Sequence, residues 1–173
     1  MEHMTRSAVV LAVPHQLQGP AFGGYVDDPS YSLLLENVTR DGVDFVFEEA
    51  SGRTPSTAEQ VAVSRLGEDH YLDVDPSVDE RPKYGIAKVT GGGGPIDPFR
   101  SKDIYESALL DEQRKREDLW VQRVVAQPFK KALIIVGLAH GLSLGFRLAS
   151  AGIEVRDVFL YIPHEKVCRK PHR

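Results

Sequence analysis

The sequence predicts a three-layer α/β fold with a mainly parallel central sheet of about five strands. Uninterrupted apolar runs at 8–13 and 132–138 are typical of strands that are buried on both faces. Strand-like and helix-like segments alternate along the chain, which favours parallel strands joined by right-handed crossover helices. The 173 residues and the 42% hydrophobic fraction suit one globular domain over 1–173 with a substantial core.

The first half of the chain predicts three strands and two helices, and capping residues mark the helix starts. The strands cover 7–13, 43–49 and 70–75, and the helices cover 29–40 and a segment that opens at 54–57 and ends at 66. Pro29 suits the first turn of the first helix, with Asp27 or Asp28 as its cap. Ser56 and Glu59 have the spacing of a capping box, which marks the start of the second helix.

The second half opens with a segment at 76–102 that is rich in proline and glycine, for which we expect a mobile loop. This loop is either a lid over the strand ends or a disordered connection. A long charged helix covers 103–127 and is ended by Pro128. The remaining elements are a strand at 132–138, a helix at 142–151, a strand at 155–162 and a basic tail at 164–173.

Composition excludes several classes of protein. The net charge of −4 gives no electrostatic surface for nucleic acid, and no run approaches the ~20 apolar residues of a membrane-spanning helix. The amino-terminal residues lack a signal-peptide pattern, and the single Cys168 excludes an internal disulfide and a Cys-rich zinc site. We therefore expect a cytoplasmic protein with a small-molecule or peptide substrate and no nucleic-acid or membrane partner. Its exposed final strand would allow a homodimer.

Titratable side chains follow three of the predicted strands. His15 comes after the first strand, Glu48 and Glu49 end the second, and His140 follows the run at 132–138. Ligands of parallel α/β proteins gather at the carboxyl ends of the strands. A single histidine there is often structural, but two histidines and an acidic pair at the same edge predict a functional site.

Two chemistries suit this set of side chains. His15, His140 and one of the two acids, Glu48 in the first instance and otherwise Glu49, form a plausible three-ligand set for a divalent metal such as Mn, Co or Zn, which would activate a bound water. The second glutamate would then be a candidate general base. Without a metal, a glutamate beside a histidine fixes the imidazole tautomer, and the pair activates water directly. Adjacent strand residues point to opposite faces, so both acids face the site only if the strand has ended by Glu48. Otherwise one of them pairs with a nearby cation.

Further candidates flank these residues. Arg116 would bind an anionic group of the substrate or a developing oxyanion, or it is an ordinary helix-surface charge. Asp75 would orient a histidine or cap a turn, and it forms a secondary cluster with Arg81. The candidates for contacting a ligand are Gln16, Asp75, Arg81 and Arg114.

The motif residues together resemble the TraB/TIKI superfamily, which includes ChaN-like haem-binding proteins and erythromycin-esterase-like enzymes. One Gly-x-x-His motif is intact at 137–140, and the other reads Ala12-Val13-Pro14-His15, with alanine in place of glycine. The acid of the family pattern is matched by Glu48 or Glu49, and its arginine by Arg114 or Arg116. The resemblance identifies a short, divergent, bacterial-type member.

This resemblance implies a hydrolase that activates water at a His/Glu site, in some relatives with a metal. Other relatives bind haem, so the resemblance also allows a non-catalytic module that binds haem or a metabolite. A third reading is a defence or accessory protein that acts through a partner. No serine lies in a Gly-x-Ser-x-Gly elbow, which argues against a serine hydrolase.

Overall fold

The computed structural model describes residues 5–19, 27–53, 55–87 and 102–163. Within these ranges, five parallel strands form one sheet in the order β3-β2-β4-β1-β5. The strands are β1 (Ser7–Val13), β2 (Phe45–Glu48), β3 (Tyr71–Asp73), β4 (Lys131–Gly137) and β5 (Glu154–Leu160). The predicted α/β fold with a parallel central sheet is confirmed.

Four α-helices of the described residues connect these strands. They are α1 (Pro29–Arg40), α2 (Thr57–Leu66), α3 (Lys102–Ala126) and α4 (Gly141–Ser150). The predicted starts of α1 and α2 are confirmed: the Asp28 carboxylate accepts the Ser30 N–H at 2.9 Å, and Ser56 and Glu59 form a capping box. The helices begin where the side chains satisfy the free N–H groups of the first turn.

The central strands β1, β2 and β4 are buried on both faces, which gives the molecule three layers. One apolar cluster lies between the sheet and helices α1 and α2, and its buried members on these helices are Tyr31, Leu35, Ala58 and Ala62. A second cluster lies on the opposite face and includes Trp120 of α3 and Leu148 of α4. The continuous apolar character of β1 and β4 follows from this two-sided burial.

The pairing of the strands brings the predicted site residues to one edge. β1 lies between β4 and β5, and Val13 of β1 pairs with Gly137 of β4. β4 in turn pairs with β2, placing Glu48 beside Ile135. Because all strands are parallel, the segments that follow β1, β2 and β4 leave the sheet side by side.

Several predicted boundaries differ from those observed. β2 and β3 are shorter than the predicted 43–49 and 70–75. Within the predicted loop at 76–102, residues Arg81–Tyr84 form a 3-10 turn, while residues 88–101 lie outside the described ranges, as does the predicted tail at 164–173. Among the helices of the described residues, none has the length and apolar character needed to cross a membrane.

Candidate active site at the strand ends

Glu49 lies at the centre of the site, immediately after β2. Its carboxylate is buried, and its Oε2 accepts the backbone N–H of Gly137 at 2.8 Å. Its Oε1 accepts a hydrogen bond from Arg116 Nη2 at 2.6 Å. The Nε2 atoms of His15 and His140 each lie 3.9 Å from the same Oε1. One carboxylate oxygen therefore faces two imidazoles and one guanidinium group.

His15 lies in the turn that follows β1 and is held by the side chain of Gln18. The His15 Nδ1 atom lies 2.5 Å from Gln18 Oε1, and the imidazole is 46% exposed. Gly137 leaves the space that this ring occupies: a Cβ added at Gly137 would lie 2.6 Å from His15 Nε2. The glycine of the Gly-x-x-His motif thus makes room for the histidine of the other motif.

His140 precedes α4 and is held by a carboxylate on α3. Its Nδ1 atom lies 2.8 Å from Glu117 Oε1, and its side chain is only 6% exposed. Glu117 also accepts hydrogen bonds from Ser143 and Arg147. Burial opposes ionisation of Glu117, but the hydrogen bonds from His140 and Ser143 outweigh it and lower its pKa. The ring of Trp120 packs edge-on against His140, with centroids 4.9 Å apart.

Arg116 also belongs to a buried ion-pair cluster that is centred on Asp75. Arg116 Nε and Nη2 donate to the two oxygens of Asp75 at 3.0 and 2.9 Å. Arg81 Nη2 and Trp120 Nε1 also donate to Asp75, each at 2.9 Å, and Ser51 donates to it through its hydroxyl. Burial opposes ionisation of Asp75, but the hydrogen bonds and charge of Arg116 outweigh it and lower its pKa.

Glu48 forms a separate polar cluster on the α1/α2 side of the sheet. Its oxygens accept hydrogen bonds from Gln18 Nε2 at 2.9 Å, from Tyr71 at 2.8 Å and from Ser56. These donors are neutral, and the carboxyl group is fully buried. Burial therefore raises the pKa of Glu48 to about 7, although the hydrogen bonds lower it in part.

The two predicted acids thus differ in position. Glu49 faces both histidines and also pairs with a cation, whereas the carboxyl of Glu48 is taken by Gln18, Ser56 and Tyr71. The strand ends at Glu48, but the adjacent carboxylates still diverge to different clusters. Glu49, not Glu48, is the acid that the structure brings to His15 and His140.

The residues do not fit the metal-ligand set predicted from the sequence, which was His15 and His140 with one of Glu48 and Glu49. In the part of the chain that the structure describes, no group of three or more His, Cys, Asp and Glu side chains is arranged to hold a metal ion. Glu49 is the carboxylate near the histidines, but Arg116 already donates to the oxygen that faces them. A guanidinium at this position opposes the binding of a second cation.

The remaining candidates fall into two groups. Arg116, Asp75 and Arg81 are buried and bind one another, so they hold the site together rather than extend towards solvent. Asp75 contacts Arg116 and Trp120 rather than a histidine. Gln16 and Arg114 are exposed, and neither shares a hydrogen bond with the site within the described residues.

Two residues hold the imidazoles in a way that sequence reasoning did not predict. It indicated Gln18 only as a loop residue that could hydrogen-bond a substrate, and it missed Glu117. Glu117 lies in a charged stretch of α3 that looks like a solvated helix face. Helical spacing could have identified Glu117 as a buried residue, because it lies one turn before the buried Trp120 on the same face of the helix. Gln18 is turned inward by the 3-10 turn at His15–Leu17, which its sequence does not mark.

No protein-family model, curated protein or solved structure matches this chain. The resemblance to the TraB/TIKI superfamily therefore rests on the motif residues alone and stays a prediction.

Proposed function

We propose that this chain is a small cytoplasmic hydrolase, similar to members of the TraB/TIKI superfamily, that activates water with His15, Glu49 and His140. One observation carries the proposal: both Nε2 atoms lie 3.9 Å from Glu49 Oε1, while each Nδ1 atom is engaged by another side chain. A separation of 3.9 Å is too long for a direct hydrogen bond, and a water bound beside Glu49 Oε1 would lie within reach of an imidazole Nε2.

In this proposal His15 is the general base. When Nδ1 donates to Gln18, the Nε2 atom carries the lone pair and accepts a proton from the water beside Glu49. The remaining hydroxide attacks an electrophilic carbon or phosphorus of the substrate, and the imidazolium returns the proton to the leaving group. The exposure of His15 supports this role, because substrate and solvent reach its ring.

His140 and Arg116 support the charge changes of this reaction. His140 is backed by the carboxylate of Glu117, an arrangement that stabilises the ring when it is protonated. A protonated His140 would donate from Nε2 to negative charge that develops on the substrate. Arg116 holds Glu49 in place and compensates its buried charge. Arg116 is therefore a positioning residue rather than the substrate clamp expected from the sequence.

The proposal is tested by screening hydrolysis of carboxylic ester, amide and phosphoester substrates with the wild type, His15→Ala and Glu49→Gln. General acid–base catalysis contributes about 10²–10⁴-fold, so both variants should lose activity by that factor. His70→Ala is the matched control, because His70 is an exposed histidine immediately before β3 that contacts the Asp44 carbonyl. Absence of hydrolysis across the panel, or equal activity in all four proteins, would contradict the proposal.

The metal and haem alternatives remain predictions and are checked on the same preparations. About one equivalent of Mn, Co or Zn, lost when both histidines are replaced, would support a metal-assisted hydrolase. A Soret band would instead support a haem-binding module. Sedimentation velocity tests the homodimer that we propose through β5, an edge strand on which Phe159 and Leu160 are exposed.

A further inference from the structure

Gln18 joins the two polar clusters of the strand ends. Its Oε1 atom faces His15 Nδ1 at 2.5 Å, and its Nε2 atom donates to Glu48 Oε1 at 2.9 Å and to the Glu49 carbonyl at 3.1 Å. The side chain is fully buried, so it has no water to replace a partner that it loses. All its polar contacts must therefore be satisfied within the protein.

The surroundings of Gln18 allow one orientation of its amide. The NH₂ group has two donors, and both are used by acceptors, one from Glu48 and one from the backbone of Glu49. Turning the amide over would place its oxygen against these two acceptors. Glu48 Oε1 accepts the hydrogen bond from Gln18, because Ser56 and Tyr71 donate to the other oxygen of Glu48.

A fixed amide orientation determines the tautomer of His15. The amide oxygen that faces Nδ1 only accepts hydrogen bonds, so Nδ1 must carry a proton. We propose that Gln18, oriented by Glu48, is a positioning residue that holds neutral His15 as the Nδ1–H tautomer and leaves the Nε2 lone pair facing Glu49. The catalytic consequence rests on the proposed function, but the tautomer does not.

His140 provides an internal comparison for this proposal. Its Nδ1 atom faces a carboxylate oxygen of Glu117 rather than an amide, and Gln18 makes no hydrogen bond to it in the described residues. A substitution at Gln18 should therefore change His15 alone. Any general loss of structure would change both histidines.

The test is long-range ¹⁵N–¹H correlation spectroscopy of ¹⁵N-labelled protein, at a pH where the imidazoles are neutral. The His15 and His140 signals are assigned by their loss in His15→Ala and His140→Ala. We expect the wild type to show His15 as the Nδ1–H tautomer. Gln18→Met, which removes the acceptor at similar length, should give a mixture or the Nε2–H tautomer, with the His140 pattern unchanged.

Two results would overturn the proposal. One is a wild-type spectrum in which His15 is the Nε2–H tautomer, a result that needs no variant and so stands even if Gln18→Met fails to fold. The other is an unchanged His15 pattern in a folded Gln18→Met protein. If a substrate is found, kcat of Gln18→Met should fall by about 10²-fold while KM is preserved. The expected tautomers without any hydrolysis would refute the proposed function and leave the role of Gln18 intact.

Discussion

Replacing Asp75 with asparagine should strongly destabilise the fold. Asp75 is buried and accepts hydrogen bonds from Arg116, Arg81 and Trp120. An asparagine has the same shape but turns one oxygen into an NH₂ group. In either orientation of the amide, the NH₂ group would face two N–H donors, which are the Arg116 and Arg81 Nη2 atoms on one side or the Arg116 Nε and Trp120 Nε1 atoms on the other.

The magnitude follows from the loss of a buried carboxylate between two guanidinium groups. Removing one partner of a buried ion pair costs about 3–5 kcal/mol, because the remaining charge stays buried without full compensation. That is a large share of the about 5–15 kcal/mol by which a native protein is stable. We therefore expect Asp75→Asn to lower the free energy of unfolding by about 3–5 kcal/mol in urea denaturation followed by tryptophan fluorescence.

Asp111→Asn is the matched control for this experiment. Asp111 pairs with Lys115 at 2.9 Å on the surface of α3, with its side chain 61% exposed. A surface ion pair contributes about 0–1 kcal/mol, so this variant should unfold close to the wild type. A change below about 1 kcal/mol in Asp75→Asn, with the same dependence on urea, would refute the reasoning, since the buried pair would then behave like the surface pair.

Three further predictions concern the site itself. Gly137→Ala should reduce the proposed hydrolysis by about 10²-fold with little loss of stability, because its Cβ would lie 2.6 Å from His15 Nε2 and displace the ring towards its solvent-exposed side. Activity and urea denaturation check it, and full activity would contradict it. Burial raises the pKa of Glu48 from 4.5 to about 7, so the folded protein keeps a proton that the unfolded chain releases. The wild type should therefore lose stability relative to Glu48→Gln as the pH rises from 4.5 to about 7, at up to about 1.4 kcal/mol per pH unit, and parallel pH profiles would be inconsistent with this. Glu117→Gln removes the charge behind His140 and should lower kcat more than it raises KM, as steady-state kinetics will show; an effect confined to KM would argue against it.

The helix starts and the buried strands of the fold could be predicted from local features of the sequence. Asp28 and Pro29 mark the start of α1, and Ser56 with Glu59 marks the start of α2, because capping depends on side chains within a few residues. The apolar runs of β1 and β4 reflect burial on both faces. The order of the strands in the sheet could not be predicted from such local signals, because the placement of β4 between β2 and β1 depends on how the helices pack.

The site was predictable in part. Parallel strands bring their carboxyl ends to one edge, so His15, His140 and the acidic pair could be placed together from the sequence. The choice between Glu48 and Glu49 could not, because it depends on which face each carboxylate turns to and on the position of Arg116. The role of Glu117 could not be predicted either, because Glu117 lies on α3 and its partner His140 precedes α4.

The pairing of β1 with β4 also sets when the site exists during synthesis. His15 and Glu49 are made early, but His140 and the Gly137 N–H that binds Glu49 follow about a hundred residues later, several seconds at roughly 5–20 residues per second. Until β4 inserts between β1 and β2, His15 and Glu49 of the nascent chain are not held in a fixed position relative to each other. Assembly of the candidate site is therefore coupled to the insertion of β4, and a ribosome-bound intermediate that lacks β4 does not hold His15, Glu49 and His140 together.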